Sequence, residues 1–262
     1  MPSHPAPVPD RRLLLPHEPD PVVLVNETGR APFVLICEHA GNRIPERLGT
    51  MGLSEEDRRR HIAWDIGAEA VARHLSRRLD APLFLQRYSR LVCDCNRHPQ
   101  APDFIAAVSE GTPIPGNADV PPSEARRRTD EIHRVFHDRI AAFLDRRTAA
   151  GRESIVVSVH SFTPVFEGIA RPWNVGVLYN RDPVFARRTL DCLHAEAGLE
   201  VGDNEPYVMS DETDYTIPVH GERRGLACVE FEIRNDQIRD PRGQMLWAER
   251  LARVVCEAAA GL

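Results

Sequence analysis

No apolar run in the sequence approaches the roughly 20 residues needed to cross a bilayer, so no membrane-spanning helix is expected. The first residues, MPSHPAPVPDRRLLLPHEPDP, are proline-rich with one three-leucine run. They lack the apolar stretch of about 7 to 15 residues that marks a secretory signal, which points to a cytoplasmic location. The six cysteines (Cys37, Cys93, Cys95, Cys192, Cys228 and Cys256) form neither a C-x-x-C pair nor a disulfide-scaffold spacing, and they read as small buried hydrophobes. A basic balance is also missing. There are 33 Lys and Arg against 39 Asp and Glu, a net charge of −6, and the runs Arg58 to Arg60 and Arg126 to Arg128 sit beside acids. Nucleic acid is therefore not an expected partner. No repeat or long low-complexity linker divides the chain.

What is present is an ordinary soluble composition, 42% hydrophobic and 27% charged over 262 residues, enough for one large domain. We read residues 1–20 as a flexible proline-rich arm and 21–262 as a single domain. FVLICEH, PLFLQ, RLVCDC, SIVVSVH, NVGVLY and LACVEFEI are short strand-like apolar runs. Helical spacing follows Asp65 (Ile66, Ala70, Val71, His74, Leu75, Leu79), and again follows Ser123 (Ile132, Val135, Phe136, Ile140, Phe143, Leu144). PVFARRTLDCLHAEAG and QMLWAERLARVVCEAAAGL supply two further helices. Strands interleaved with helices predict a three-layer α/β sandwich, its central mixed, largely parallel sheet flanked by helices, with ligands beyond the strand C-termini.

Several of those strand ends carry reactive groups. His39 closes an apolar run and is followed by Gly41, which lets the backbone turn closely around whatever His39 holds. His160 closes SIVVSVH in the same way, and neutral imidazole is a preferred zinc ligand. In Val229-Glu230-Phe231-Glu232-Ile233-Arg234, alternation puts Glu230 and Glu232 on one face, so that either is a candidate base. Arg90 to Arg97 offers arginines suited to carboxylates or an oxyanion, with Asn96 as a neutral donor. Each feature also has a plain structural reading, as a capping histidine, a solvated acidic strand face or surface ion pairs.

Taken in order, EHAGNRIP, HIAWDIGA, SRLVCDCNR, SVHSF, RPWNVGVLYNRD and GLACVEFEIRND resemble the N-formylglutamate amidohydrolase family, itself similar to zinc carboxypeptidases and aspartoacylases. The likeness spans roughly residues 30–240. In the carboxypeptidase-like pattern the strand-end histidine is followed three residues later by a glutamate ligand, but here Asn42 stands at that place. The helix begins instead near Asp65, after an insertion, so the resemblance implies His39, Asp65 and His160 as ligands of one zinc ion, with Glu38 and Asn42 as alternatives for the third. It implies Glu232 as the catalytic base, Arg90 as the group polarising the scissile carbonyl, and Asn96 with Arg97 as holders of a substrate carboxylate. Arg171, Arg181 and Arg223 are candidates for a second carboxylate, and Tyr215 and His220 for the pocket lining.

The activity so implied is hydrolysis of the amide of an N-acyl amino acid, foremost N-formyl-L-glutamate to formate and L-glutamate. The alternatives are another N-acyl amino acid or small peptide-like amide, or a ligand-binding protein of this fold without catalysis, which Asn42 motivates.

Overall fold

Alternation along the strands decides which side of the sheet each residue faces, and thereby where the chemistry sits. In the computed structural model, which describes residues 12–262, the elements run in chain order β1 (Val22–Val25), β2 (Phe33–Cys37), α1 (Ala68–Leu79), β3 (Leu83–Gln86), a small hairpin of β4 (Val108–Ser109) and β5 (Thr112–Pro113), α2 (Pro122–Arg128), α3 (Arg134–Ala149), β6 (Ile155–Phe162), a second hairpin of β7 (Val165–Phe166) and β8 (Ile169–Ala170), β9 (Val175–Leu178), α4 (Val184–His194), β10 (Val201–Asp203), β11 (Cys228–Arg234) and α5 (Pro241–Ala259).

Seven strands form one sheet in the order β1-β3-β2-β6-β11-β9-β10. The central block β3-β2-β6-β11 is parallel, β1 and β9 join it antiparallel, and β10 pairs parallel with β9. Two cores sandwich it. Leu35, Leu83, Val157, Val159, Val229, Phe231 and Ile233 meet Val71 and Leu75 of α1, Phe185 of α4 and Leu251 and Val255 of α5. Val34, Ile36, Phe84 and Val156 on the opposite face meet Phe136, Ile140, Phe143 and Leu144 of α3. The expected mixed α/β sandwich is therefore present. Period-two alternation then dictates that Ser158 and His160 of β6, and Glu230 and Glu232 of β11, leave the sheet on the α3 side. In the parallel register Glu232 stands opposite His160 and Glu230 opposite Ser158.

Three local expectations change. The run Arg90 to Cys95 is not a strand but a series of turns, with Val92 N–H donating to the Ser89 carbonyl (2.9 Å) and Arg97 N–H to that of Asp94 (3.1 Å). Its apolar side chains are buried, yet β3 already pairs with β1 and β2, so no free ladder remains beside it. The helix expected from Asp65 begins at Ala68, after Gly67 at φ +84°. The long helix expected from Ser123 is α2 and α3 joined by a wide π turn over Thr129–His133. Of the proline-rich segment, residues 1–11 lie outside the described residues. Leu13 beyond them is buried, and the Leu13 and Leu14 amides donate to the Glu131 carboxylate at 2.6 and 2.9 Å.

Candidate active site

β2 ends at Cys37, and the chain turns sharply through His39 and Gly41. A Cβ at position 41 would lie 2.2 Å from the Arg87 carbonyl oxygen, so only glycine permits this approach. The Asp65 amide donates to the His39 carbonyl (2.9 Å), fixing the pre-helical loop against the strand end. His39, Asp65 and His160 are each at most 2% exposed. His39 Nδ1 and His160 Nδ1 are 3.1 Å apart, His160 Nδ1 and Asp65 Oδ2 2.8 Å, and His39 Nδ1 and Asp65 Oδ2 3.5 Å.

This triangle suits a metal ion. Three donors about 2.0 to 2.1 Å from one tetrahedral centre are separated by about 3.3 Å, which falls within the observed 2.8 to 3.5 Å. The outer nitrogens are occupied as such a site requires. His39 Nε2 is 2.7 Å from Asp94 Oδ1; a carboxylate there only accepts, so Nε2 carries the hydrogen and Nδ1 keeps its lone pair. His160 Nε2 is 3.0 Å from Glu38 Oε2, an ion-pair contact rather than an aligned hydrogen bond. Burial alone would raise Asp65, but His39 and His160 hold its carboxyl well below the usual range. Burial opposes a charge on His160 too, yet Glu230, Glu38 and Asp65 raise it well above the ordinary imidazole value. Such a buried excess of carboxylates is complemented by a cation. Asn42 stays outside, its amide donating to the Arg58 carbonyl (3.0 Å), and Glu38 lies behind His160, accepting from Ser158 Oγ (2.7 Å).

Arg90 ties the two carboxylates of this centre together. Its Nε and Nη2 donate to Asp94 Oδ2 (3.2 and 2.9 Å), and its Nη1 to Asp65 Oδ1 (3.4 Å). Asp94 is thus the group that sequence reasoning missed: it lies inside the Arg90 to Arg97 segment, but nothing local signals a partner 55 residues away. In an Asp94→Asn protein, metal affinity is expected to fall 10- to 100-fold, on the order of other ligand-orienting contacts. Competition against a chromophoric chelator measures it; undiminished affinity would show that His39 is positioned without Asp94.

The triad opens into a pocket of about 400 Å³ lined by His39, His61, Arg90, Arg97, His160 and Glu232, among others. Glu232 is 6% exposed and its Oε2 has no hydrogen-bond partner. Burial pushes its carboxyl up to about 8, with His160 and Arg90 pulling down and Asp65 and Asp214 pushing further up. Glu230 is also raised, by burial and then by neighbouring acids against the pull of His160. His61 and Tyr207 line the pocket as well, though neither carried a sequence signal of its role.

The remaining candidates fall in different places. The Asn96 amide group donates to Asp214 Oδ1 (3.1 Å) and Glu230 Oε2 (3.4 Å), and its oxygen accepts from the Tyr215 and Thr216 amides. It lines the pocket with its polar atoms already engaged. Arg97 lines it too, pairing with Asp103 (2.7 Å). Arg171 is 8% exposed and has no carboxylate partner among the described residues; it donates to Tyr207 Oη (3.1 Å) and lies over the rings of Phe166, Tyr207 and Phe162. Arg181 pairs with Asp211 and Glu222, and Arg223 is exposed.

Tyr215 and His220 pack behind the pocket wall in a stack with His133 and His137. His137 Nε2 donates to the Cys95 carbonyl (2.7 Å), so its Nδ1 accepts from His220 Nε2 (2.9 Å), while His133 Nε2 donates to the Arg97 carbonyl (3.1 Å). These bonds hold the segment carrying Asn96 and Arg97. Burial keeps the stack neutral, pushing His133 down to about 4 and His220 to about 3, with neighbouring cations adding to the effect on His220. The unfolded chain, with histidines near 6.5, therefore binds protons first as pH falls. Stability is fully present above pH 6.5 and is lost below it, by about 1.4 kcal/mol per pH unit for each such histidine. Urea midpoints at pH 7 and pH 5 measure this, and equal midpoints would contradict a neutral stack.

A parallel-centred α/β sheet that gathers a buried His-Asp-His triad and an unpartnered carboxylate at adjacent strand ends has the apparatus of a hydrolase. The comparisons give the class as amidohydrolase. The chain belongs to the N-formylglutamate amidohydrolase family, whose profile matches residues 31–239. Gene product Atu2144 from Agrobacterium tumefaciens superposes with a TM-score of 0.93 at 39% identity, covering 95% of this chain and 99% of that one. An N-formylglutamate amidohydrolase from Ralstonia eutropha JMP134 shares the fold, with a TM-score of 0.63 at 19% identity over 92% of this chain and 99% of its own. No curated protein gives a significant match. No helix among the described residues is long and apolar enough to cross a membrane.

Proposed function

We propose that the protein hydrolyses the amide bond of an N-acyl amino acid with the help of one zinc ion, and that N-formyl-L-glutamate is a substrate, giving formate and L-glutamate. The observation that carries this reading is Glu232: a buried carboxylate with a free oxygen, in the same pocket as a triad able to hold a metal. His39 Nδ1, Asp65 Oδ2 and His160 Nδ1 are the ligands. When bound by three protein groups, zinc keeps an open position, acts as a Lewis acid and lowers the pKa of water there to about 7.

The protein's own groups supply the rest. Burial raises the Glu232 carboxyl in the metal-free protein, and a dication in the adjoining triad would draw it back toward the ionised form that accepts a proton. Glu232 takes a proton from the attacking water and returns it to the departing amine. Arg90, fixed by Asp94 and Asp65, presents a rigid cation toward the oxygen that gains charge. Arg171, buried without a carboxylate partner among the described residues, reaches the pocket only through Tyr207 and is the more remote candidate for a substrate carboxylate. Arg97 is the nearer of the two to the metal ligands' pocket. The test is direct: purified protein loaded with one zinc per chain is offered N-formyl-L-glutamate, and formate and glutamate are quantified. Equimolar release of both supports the reading; a zinc-loaded protein that leaves this compound and other N-acyl amino acids intact would refute it.

A further inference from the structure

The metal pocket does not end where a formyl group would. A second chamber of about 290 Å³ adjoins it, and His61, Arg90, Arg97 and Tyr207 belong to the walls of both. Its other walls include Ile62, Leu91, Ala106, Val108 and Phe166. Arg90, read above as facing the scissile carbonyl, is one of the shared walls, which puts that carbonyl at the junction of the two spaces.

Charge argues which half of the substrate enters. The two arginines of the second chamber are engaged, Arg90 with Asp94 and Asp65 and Arg97 with Asp103. The chamber also contains Asp94, Asp103 and Glu110, so a glutamate moiety with two carboxylates is disfavoured there, whereas an uncharged chain is not. Between the paired charges, Ile62, Leu91, Ala106, Val108 and Phe166 leave apolar wall for such a chain to lie against. The hairpin that contributes Val108 leaves it 57% exposed, and the hairpin that contributes Phe166 also displays Ile169, 72% exposed. Val208, 71% exposed, follows Tyr207 and lines the metal pocket. Val108 on the wall of the second chamber and Val208 on that of the metal pocket are thus exposed apolar groups beside the two spaces.

We propose that the second chamber is an acyl-chain subsite, taking a linear apolar acyl group of up to about six carbons while the amino-acid half stays in the metal pocket. At roughly 30 Å³ per small group, the space of one water, such a chain fits the chamber with room to spare. The inference rests on the amidohydrolase reading above. It changes the expected substrate range from formyl alone to a series of N-acyl amino acids, each hydrolysed by one water to a carboxylic acid and the free amino acid.

The experiment measures kcat/KM for N-formyl-, N-acetyl-, N-butanoyl-, N-hexanoyl- and N-decanoyl-L-glutamate on the zinc-loaded protein. The expected result is a rise of about three- to fourfold per methylene, the worth of a buried CH₂, up to hexanoyl, with no further gain at decanoyl. Ala106→Trp, which fills the chamber, and Val108→Asp, at an exposed position that tolerates charge, are each expected to lower the hexanoyl-to-formyl ratio tenfold or more. Hydrolysis of the formyl compound with kcat/KM falling steadily along the series, or a ratio unmoved in both variants, overturns the subsite alone. Failure to hydrolyse any member overturns the amidohydrolase reading with it.

Discussion

A Glu232→Gln protein is expected to lose on the order of 10³-fold in kcat toward N-formyl-L-glutamate while keeping its fold and its zinc. The loss follows from the size of general acid–base contributions, roughly 10²- to 10⁴-fold. Retention of the fold follows from the surroundings of the side chain. Glutamine is nearly isosteric and uncharged, and burial already disfavours a charge on the Glu232 carboxyl, so the substitution leaves no buried charge unpaired. Steady-state kinetics, metal content and circular dichroism together check the prediction. Activity above about a tenth of the original, in a protein with full metal content, would remove Glu232 from the role of base.

The second large effect is loss of metal. His160→Ala deletes one of the three proposed ligand atoms and removes the imidazole that Glu38, Asp65 and Glu230 face. Zinc content is expected to fall from about one per chain to near zero, with turnover at background. Chelation of the original protein should do the same reversibly and should lower its unfolding midpoint, because a ligand at 100 times its dissociation constant stabilises the folded state by about 2.7 kcal/mol. Elemental analysis with calorimetric melting tests both arms. Undiminished hydrolysis by chelated, metal-free protein would end the zinc mechanism and leave His39, Asp65 and His160 as a structural cluster.

The sheet was legible because its strands state their burial directly: FVLIC and SIVVSVHSF are buried at every position, and continuous apolar runs of that length fit no surface element. His160 was legible for the same reason, as a polar residue closing such a run, whereas choosing Glu232 over Glu230 required the resemblance. Asp65 required the resemblance, since it precedes its helix by three residues and sits in a turn. Asp94, His61 and Tyr207 stayed hidden because their partners come from loops whose path is set by tertiary packing. Cys93, Leu91 and Val92 misled for a related reason: burial made them look like a strand, but the Val92 amide bonds to Ser89 within a local turn rather than to a neighbouring strand. Hydrophobic pattern reports burial, and only hydrogen-bond geometry reports conformation.

The two hairpins at residues 108–113 and 165–170 hold none of the proposed zinc ligands and not Glu232. They stand on loops, whereas Glu232 and His160 are embedded in paired strands. Tolerance to change is correspondingly divided: insertions and substitutions accumulate in loops of this kind while the strands beneath stay constrained. Relatives that diversify should therefore differ most in these hairpins, and exchanging them between homologues offers a route to altered selectivity with an unaltered reaction.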